Sequence, residues 1–193
     1  MASKAASSNV DEDPQIISAI TVISLSVVLS IIGLAFVLNR ALLPRDSPTK
    51  IRLLYIWHMF DAIVHFALEG SYLYNCFFSW APFPPFHDLP HIDYFPAPMT
   101  PYGVSFLGES NRLYGSFYGK NPMASLWREY ARADRRWGGS DLTIISLELL
   151  TVFIMAPLSI YICRLLRKQD VASAWFIMAI VATGELYGGT ASM

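Results

Sequence analysis

Cysteine is scarce: Cys76 and Cys163 are the only two, neither sits in a CxxC pair, and each ends an apolar run, so a disulfide framework and a thiolate metal cage are excluded. Charge is scarce too. Lys+Arg 14 against Asp+Glu 15 leave a net charge of -1, so a basic footprint for nucleic acid is lacking and no nucleic-acid partner is expected. Met1 to Gln15 lacks the basic region that opens a cleavable signal peptide; it is Ser/Ala-rich, then acidic at Asp11, Glu12 and Asp13. Residues 1–15 therefore read as a disordered N-terminus ahead of an anchor that stays. No HExxH or ExxH pair occurs, and no paired broken helices in inverted repeat, which argues against the common zinc pattern and against a transporter. What is abundant is apolar: 54% of residues are hydrophobic and the mean hydropathy is +0.40, too high for an ordinary soluble core. The chain reads as an integral membrane protein.

Apolar runs place four spans, at about residues 16–38, 51–76, 141–163 and 171–190, in one transmembrane domain over 16–193. Ile16 to Leu38 carries no charge and is long enough, at 1.5 Å per residue, to cross about 30 Å of hydrocarbon. Pro44 and Pro48 stop any helix from running through the basic hairpin that carries Arg40, Arg45 and Lys50. Arg164, Arg167 and Lys168 close the third span. By the positive-inside rule both basic hairpins are cytosolic and the N-terminus lumenal. Val171 onward offers only a short uncharged run before Glu185. Either Glu185 is a further intramembrane carboxylate or the helix is cut short, and a C-terminally truncated chain is the expectation.

Between the second and third spans, residues 77–140 form a long loop rich in proline and aromatics, expected to fold as a cap at the membrane interface. His87 and His91 with Asp88 and Asp93 read as a solvated stretch of it. Met123 to Trp137 has the composition of an interfacial amphipathic helix, ended by Gly138 and Gly139.

The informative stretch is Ile51 to Cys76, where His58, Asp61, His65 and Glu69 interrupt an apolar run and, at 100° per residue, form one stripe down a helix. A charged group at mid-bilayer costs about 2.5–3.5 kcal/mol, so such a row faces a cavity or a partner. The third span adds Glu148, Thr151 and Ser159, with Pro157 expected to free a backbone carbonyl near Phe153. Carboxyl and imidazole groups held in an apolar interior are the tools of general acid and base catalysis. They suit protonating an alkene, removing a second proton nearby, and stabilising the carbocation between. His65 and Glu69, one turn apart, are the stronger candidates; His58 and Asp61 read as rim residues. No metal is expected.

In order along the chain, His65-x-x-x-Glu69-Gly70, the stretch from Trp127 to Trp137 (WREYARADRRW), Glu148-x-x-Thr151 followed by Ala156-Pro157-Leu158-Ser159, and Leu186-Tyr187-Gly188 resemble the emopamil-binding protein family of sterol isomerases, the EXPERA domain. The resemblance implies an all-α polytopic transmembrane helix bundle, five helices in the family and about four here. It implies a cholestenol Δ8–Δ7 isomerase of the endoplasmic reticulum membrane, acting in sterol biosynthesis without a cofactor. His65, Glu69, Glu148 and Thr151 stand at the catalytic positions, and Asp61, Tyr72, Met155 and Tyr187 are expected to bind substrate. The implied partners are a sterol substrate, the lipid bilayer, cationic amine ligands that mimic the carbocation, and a second copy of the chain. The alternative is a non-catalytic membrane protein of the same fold that binds sterols or cationic amines. Two departures stand out: the family's Gln-Ile-Tyr-Gly-Asp appears as Glu185-Leu-Tyr-Gly-Gly189, and the family's fifth helix, with its Asn and Trp, is not in this sequence.

Overall fold

A computed structural model of the chain describes residues 19–82 and 105–191. The expected disordered N-terminus and the group His87, Asp88, His91 and Asp93 lie outside the described residues. In chain order the elements are α1 (Ala19–Leu42), α2 (Thr49–Phe78), β1 (Trp80–Pro82), β2 (Arg112–Tyr114), α3 (Pro122–Tyr130), α4 (Leu142–Arg167) and α5 (Val171–Ala191). Of these, α1, α2, α4 and α5 are long and apolar enough to cross a membrane, so the chain is an all-α polytopic bundle. Leu25, Leu29, Val37, Phe153 and Phe176 stand on its exposed faces, as lipid contact requires.

Helix ends follow local chemistry. Pro48 precedes α2 in extended backbone, and Asp141 caps α4 by accepting from the N–H groups of Thr143 at 3.0 Å and Ile144 at 3.1 Å. Asn121 does the same for α3, with Pro122 in its first turn.

Helices α2 and α4 run antiparallel and form the centre. The first half of α2 packs on the last half of α4, α1 lies against α2, and α5 against the last half of α4. Two apolar clusters result. One gathers Tyr55, Ile162, Leu166, Ala174 and Val181 near the basic hairpins; the other gathers Tyr72, Cys76, Trp127, Ile144 and Val152 at the opposite end. Burial of this kind contributes roughly 25 cal/mol per Å² of apolar surface in water, whereas in lipid close packing between helices carries more of the load.

Between α2 and α4 the described residues fold into a cap, in which Trp80 pairs antiparallel with Tyr114 and Pro82 with Arg112. The amphipathic helix expected over Met123 to Trp137 stops at Tyr130 and gives way to turns and a short 3₁₀ segment, Arg135–Gly138. Asp134 caps the start of the 3₁₀ segment, its carboxylate accepting from the Arg136 backbone N–H at 3.0 Å. This carboxyl is held below the ordinary aspartate range by the Arg136 guanidinium, 2.7 Å away. Trp127 and Trp137 stack with ring centroids 5.2 Å apart, and Trp127 is buried, its indole N–H donating to Ser71 at 2.8 Å.

Candidate functional site

Both central helices leave α geometry once, and the two places touch. Val64–Glu69 of α2 and Thr151–Met155 of α4 are π-helical: the Gly70 N–H donates to the His65 carbonyl and the Ala156 N–H to the Thr151 carbonyl, each five residues back. In α4 the cause is local, because Pro157 has no N–H for the Phe153 carbonyl and the ladder shifts register ahead of it. In α2 there is no proline, and local sequence does not account for the π turn.

These turns carry the ionisable side chains into one row. Asp61 Oδ1 lies 3.4 Å from His65 Nε2, and His65 Nδ1 lies 2.6 Å from Glu69 Oε2. Thr151 Oγ1 is 2.5 Å from Glu69 Oε2 and 3.2 Å from Glu148 Oε2. A hydroxyl has one proton and so cannot donate to two carboxylates at once; one carboxyl of the pair must bring its own proton. At the other end Ser159 donates to Asp61 Oδ2 at 2.8 Å. His65 and Glu148 are 7% and 6% exposed, so the row is shielded by protein between the two apolar clusters. Imidazole, hydroxyl and carboxylic acid each can pass a proton on, and five such groups in series can deliver one proton and accept another.

A cavity of about 220 Å³ opens beside the row, its walls including His65, Trp137, Glu148, Thr151, Met155 and Glu185. Small-molecule sites commonly measure about 300–1,000 Å³, so this space takes the reacting part of a ligand and not a whole sterol. Gly184 faces the Met155 methyl across the cavity wall, and a Cβ there would displace that side chain.

The candidate residues fall into three groups. His65, Glu69, Glu148 and Thr151 come together as one hydrogen-bonded set, and Met155 lines the cavity. Tyr72 and Tyr187 do not line it. Tyr72 is fully buried in the aromatic box, its ring 5.3 Å from Trp127 and 5.2 Å from Trp137, with its hydroxyl donating to the Gly139 carbonyl at 3.2 Å. Tyr187 stands on the exposed face of α5, 72% accessible. Asp61 and His58 are not rim residues: Asp61 is a member of the row and His58 is buried in protein, because the first half of α2 is covered by α4.

Glu185 and Trp137 are the residues that the sequence reading leaves out of the site. Glu185 lies in α5, within the stretch long and apolar enough to cross a membrane, beside Asp61 and His65. The signal was present, an acid in an apolar run; a short run before it obscured that signal. Trp137 stands in the sequence at the end of the expected interfacial helix, where nothing marks it as a wall of a cavity.

The family model described as EBP: EXPERA (EXPanded EBP superfamily) matches residues 122–193, a range that holds Glu148, Thr151 and Glu185 but not α2. A Cavia porcellus protein named "3-beta-hydroxysteroid-Delta(8),Delta(7)-isomerase" is 33% identical over 67 residues, 34% of this chain and 28% of its own length. The Mus musculus protein of the same name is 30% identical over 67 residues, with 34% and 28% covered. An Arabidopsis thaliana protein named "Probable 3-beta-hydroxysteroid-Delta(8),Delta(7)-isomerase" is 23% identical over 137 residues, 71% of this chain and 45% of its own. The chain thus spans less than half the length of these curated relatives. With its all-helical polytopic fold, the chain is thus similar over its C-terminal part, residues 122–193, to the EBP: EXPERA superfamily and to proteins named as sterol isomerases.

Proposed function

We propose that this chain is a sterol Δ8–Δ7 isomerase of the endoplasmic reticulum membrane, with its N-terminus lumenal. The observation that carries the reading is the row from Asp61 through His65, Glu69 and Thr151 to Glu148, of which His65, Thr151 and Glu148 line a cavity walled mainly by α4 and α5. The names of its relatives support the same reading. Moving a double bond from C8–C9 to C7–C8 adds a proton at C9 and takes one from C7, with positive charge at C8 between. The reaction needs an acid, a base and a negative environment, and no oxidant or reductant. A carboxylic acid of the Glu69–Glu148 pair, held by Thr151, supplies the proton. His65, with Nδ1 on Glu69, accepts the second one. The remaining carboxylate stabilises the cation, and the apolar clusters on either side keep water from capturing it. A cationic amine bound in the cavity places its ammonium where C8 carries its charge.

Purified membranes carrying the chain, supplied with a Δ8 sterol in deuterated water, are expected to yield a Δ7 sterol with deuterium at C9. Turnover that persists unchanged in Glu148→Gln sinks the assignment. Binding of a cationic amine without product at saturating sterol points instead to the non-catalytic binding protein.

A further inference from the structure

At the Asp61 end of the row, three acceptor groups from two helices converge. Asp61 and His65 of α2 and Glu185 of α5 each present one ligand atom, and these atoms lie within 4.8 Å of one another. Two of the three residues hold a buried polar atom without a hydrogen-bond partner, His65 Nε2 and Glu185 Oε1; among the described residues, His58 Nδ1 and Ser116 Oγ are the others. At 7% exposure His65 has little access to bulk water. Its Nδ1 sits 2.6 Å from the Glu69 carboxylate, which engages that nitrogen and leaves Nε2 facing Asp61.

The spacing is informative. His65 Nε2 and Asp61 Oδ1 are 3.4 Å apart, beyond the about 3.2 Å at which N–H···O bonds ordinarily end. Two ligands bound at about 2.0–2.1 Å to one tetrahedral zinc ion are themselves separated by about 3.3 Å. An imidazole nitrogen and two carboxylate oxygens in an apolar interior need positive charge among them, either shared protons or a bound cation. Ser159 donates to Asp61 Oδ2 and leaves Oδ1 for that cation.

We propose that Asp61, His65 and Glu185 form a binding site for one divalent transition-metal ion, zinc by its donor set of one imidazole and two carboxylates. Glu69 orients the imidazole from behind. The sequence reading expects no metal because it seeks two ligands on one helix in a known spacing, whereas here the third ligand comes from α5. If the isomerase reading holds, zinc also inhibits, since it occupies the Nε2 that proton transfer uses; binding itself does not depend on that reading.

The test uses the whole chain in detergent micelles and needs no sterol, so its failure is separable from failure of the isomerase assignment. After loading with Zn2+ and dialysis, metal analysis is expected to find one zinc per chain. Co2+ titration is expected to give the visible absorption of a four-coordinate nitrogen and oxygen site. Asp61→Asn and Glu185→Gln are each expected to weaken Zn2+ binding at least about tenfold, while Glu109→Gln, in the cap beside Arg112, binds as the wild type does. No zinc retained by the wild type, wild-type affinity in both carboxylate variants, or a Co2+ spectrum of a six-coordinate aquo ion overturns the proposal. The wild-type Co2+ spectrum decides the matter even where a variant does not fold.

Discussion

The two ends of the polar row are built alike and finished differently. At the Glu148 end, every group has a partner: Thr151 stands between Glu69 and Glu148, and the pieces come from two helices locked together by facing π turns. At the Asp61 end, Ser159 satisfies one carboxylate oxygen, but His65 Nε2 and Glu185 Oε1 lack hydrogen-bond partners, and the third helix, α5, has to contribute. A closed circuit of donors and acceptors suits moving a proton. A cluster short of donors suits holding a cation. The same imidazole serves both ends through its two nitrogens, which ties them together.

Substitutions that act on one end at a time break or sharpen this contrast. The largest effect is expected from Glu148→Gln, which keeps the shape and removes the proton: sterol turnover falls by about 10²–10⁴, the range of a general acid or base, with little change in thermal midpoint. A drop in the midpoint instead would make Glu148 a structural residue. Thr151→Val comes next. It preserves volume but leaves the two carboxyls without their bridge, at a cost of about 1–3 kcal/mol read as a lower midpoint, together with slower turnover. An unchanged midpoint would mean that the hydroxyl does not bridge them. Ser159→Ala at the other end is expected to cost least, about 1 kcal/mol for one hydrogen bond to Asp61, with the Glu148 end unaffected. If it slows turnover as much as Thr151→Val does, the two ends are not distinct.

The spans and four members of the row were legible for a simple reason. Hydrocarbon demands uninterrupted apolar length, so spans stand out, and it penalises charge, so His65, Glu69 and Glu148 stand out against it. Thr151 followed from its place one turn after Glu148. Tyr72 and Tyr187 misled because a polar aromatic looks alike in a pocket, an aromatic box or an exposed helix face, and only packing separates them. Asp61 and His58 looked peripheral because depth was counted from the helix start, whereas burial depends on which neighbour covers that face.

By itself, then, the sequence determined that this is a polytopic helical membrane protein with acid and base groups inside it, because both properties follow from the cost of placing residues in lipid, one position at a time. Tertiary structure alone decided which of those groups meet. The π turn of α2, the placing of Gly184 against Met155, and the meeting of Glu185 with Asp61 and His65 depend on how helices pack, and packing joins residues that sequence spacing keeps apart.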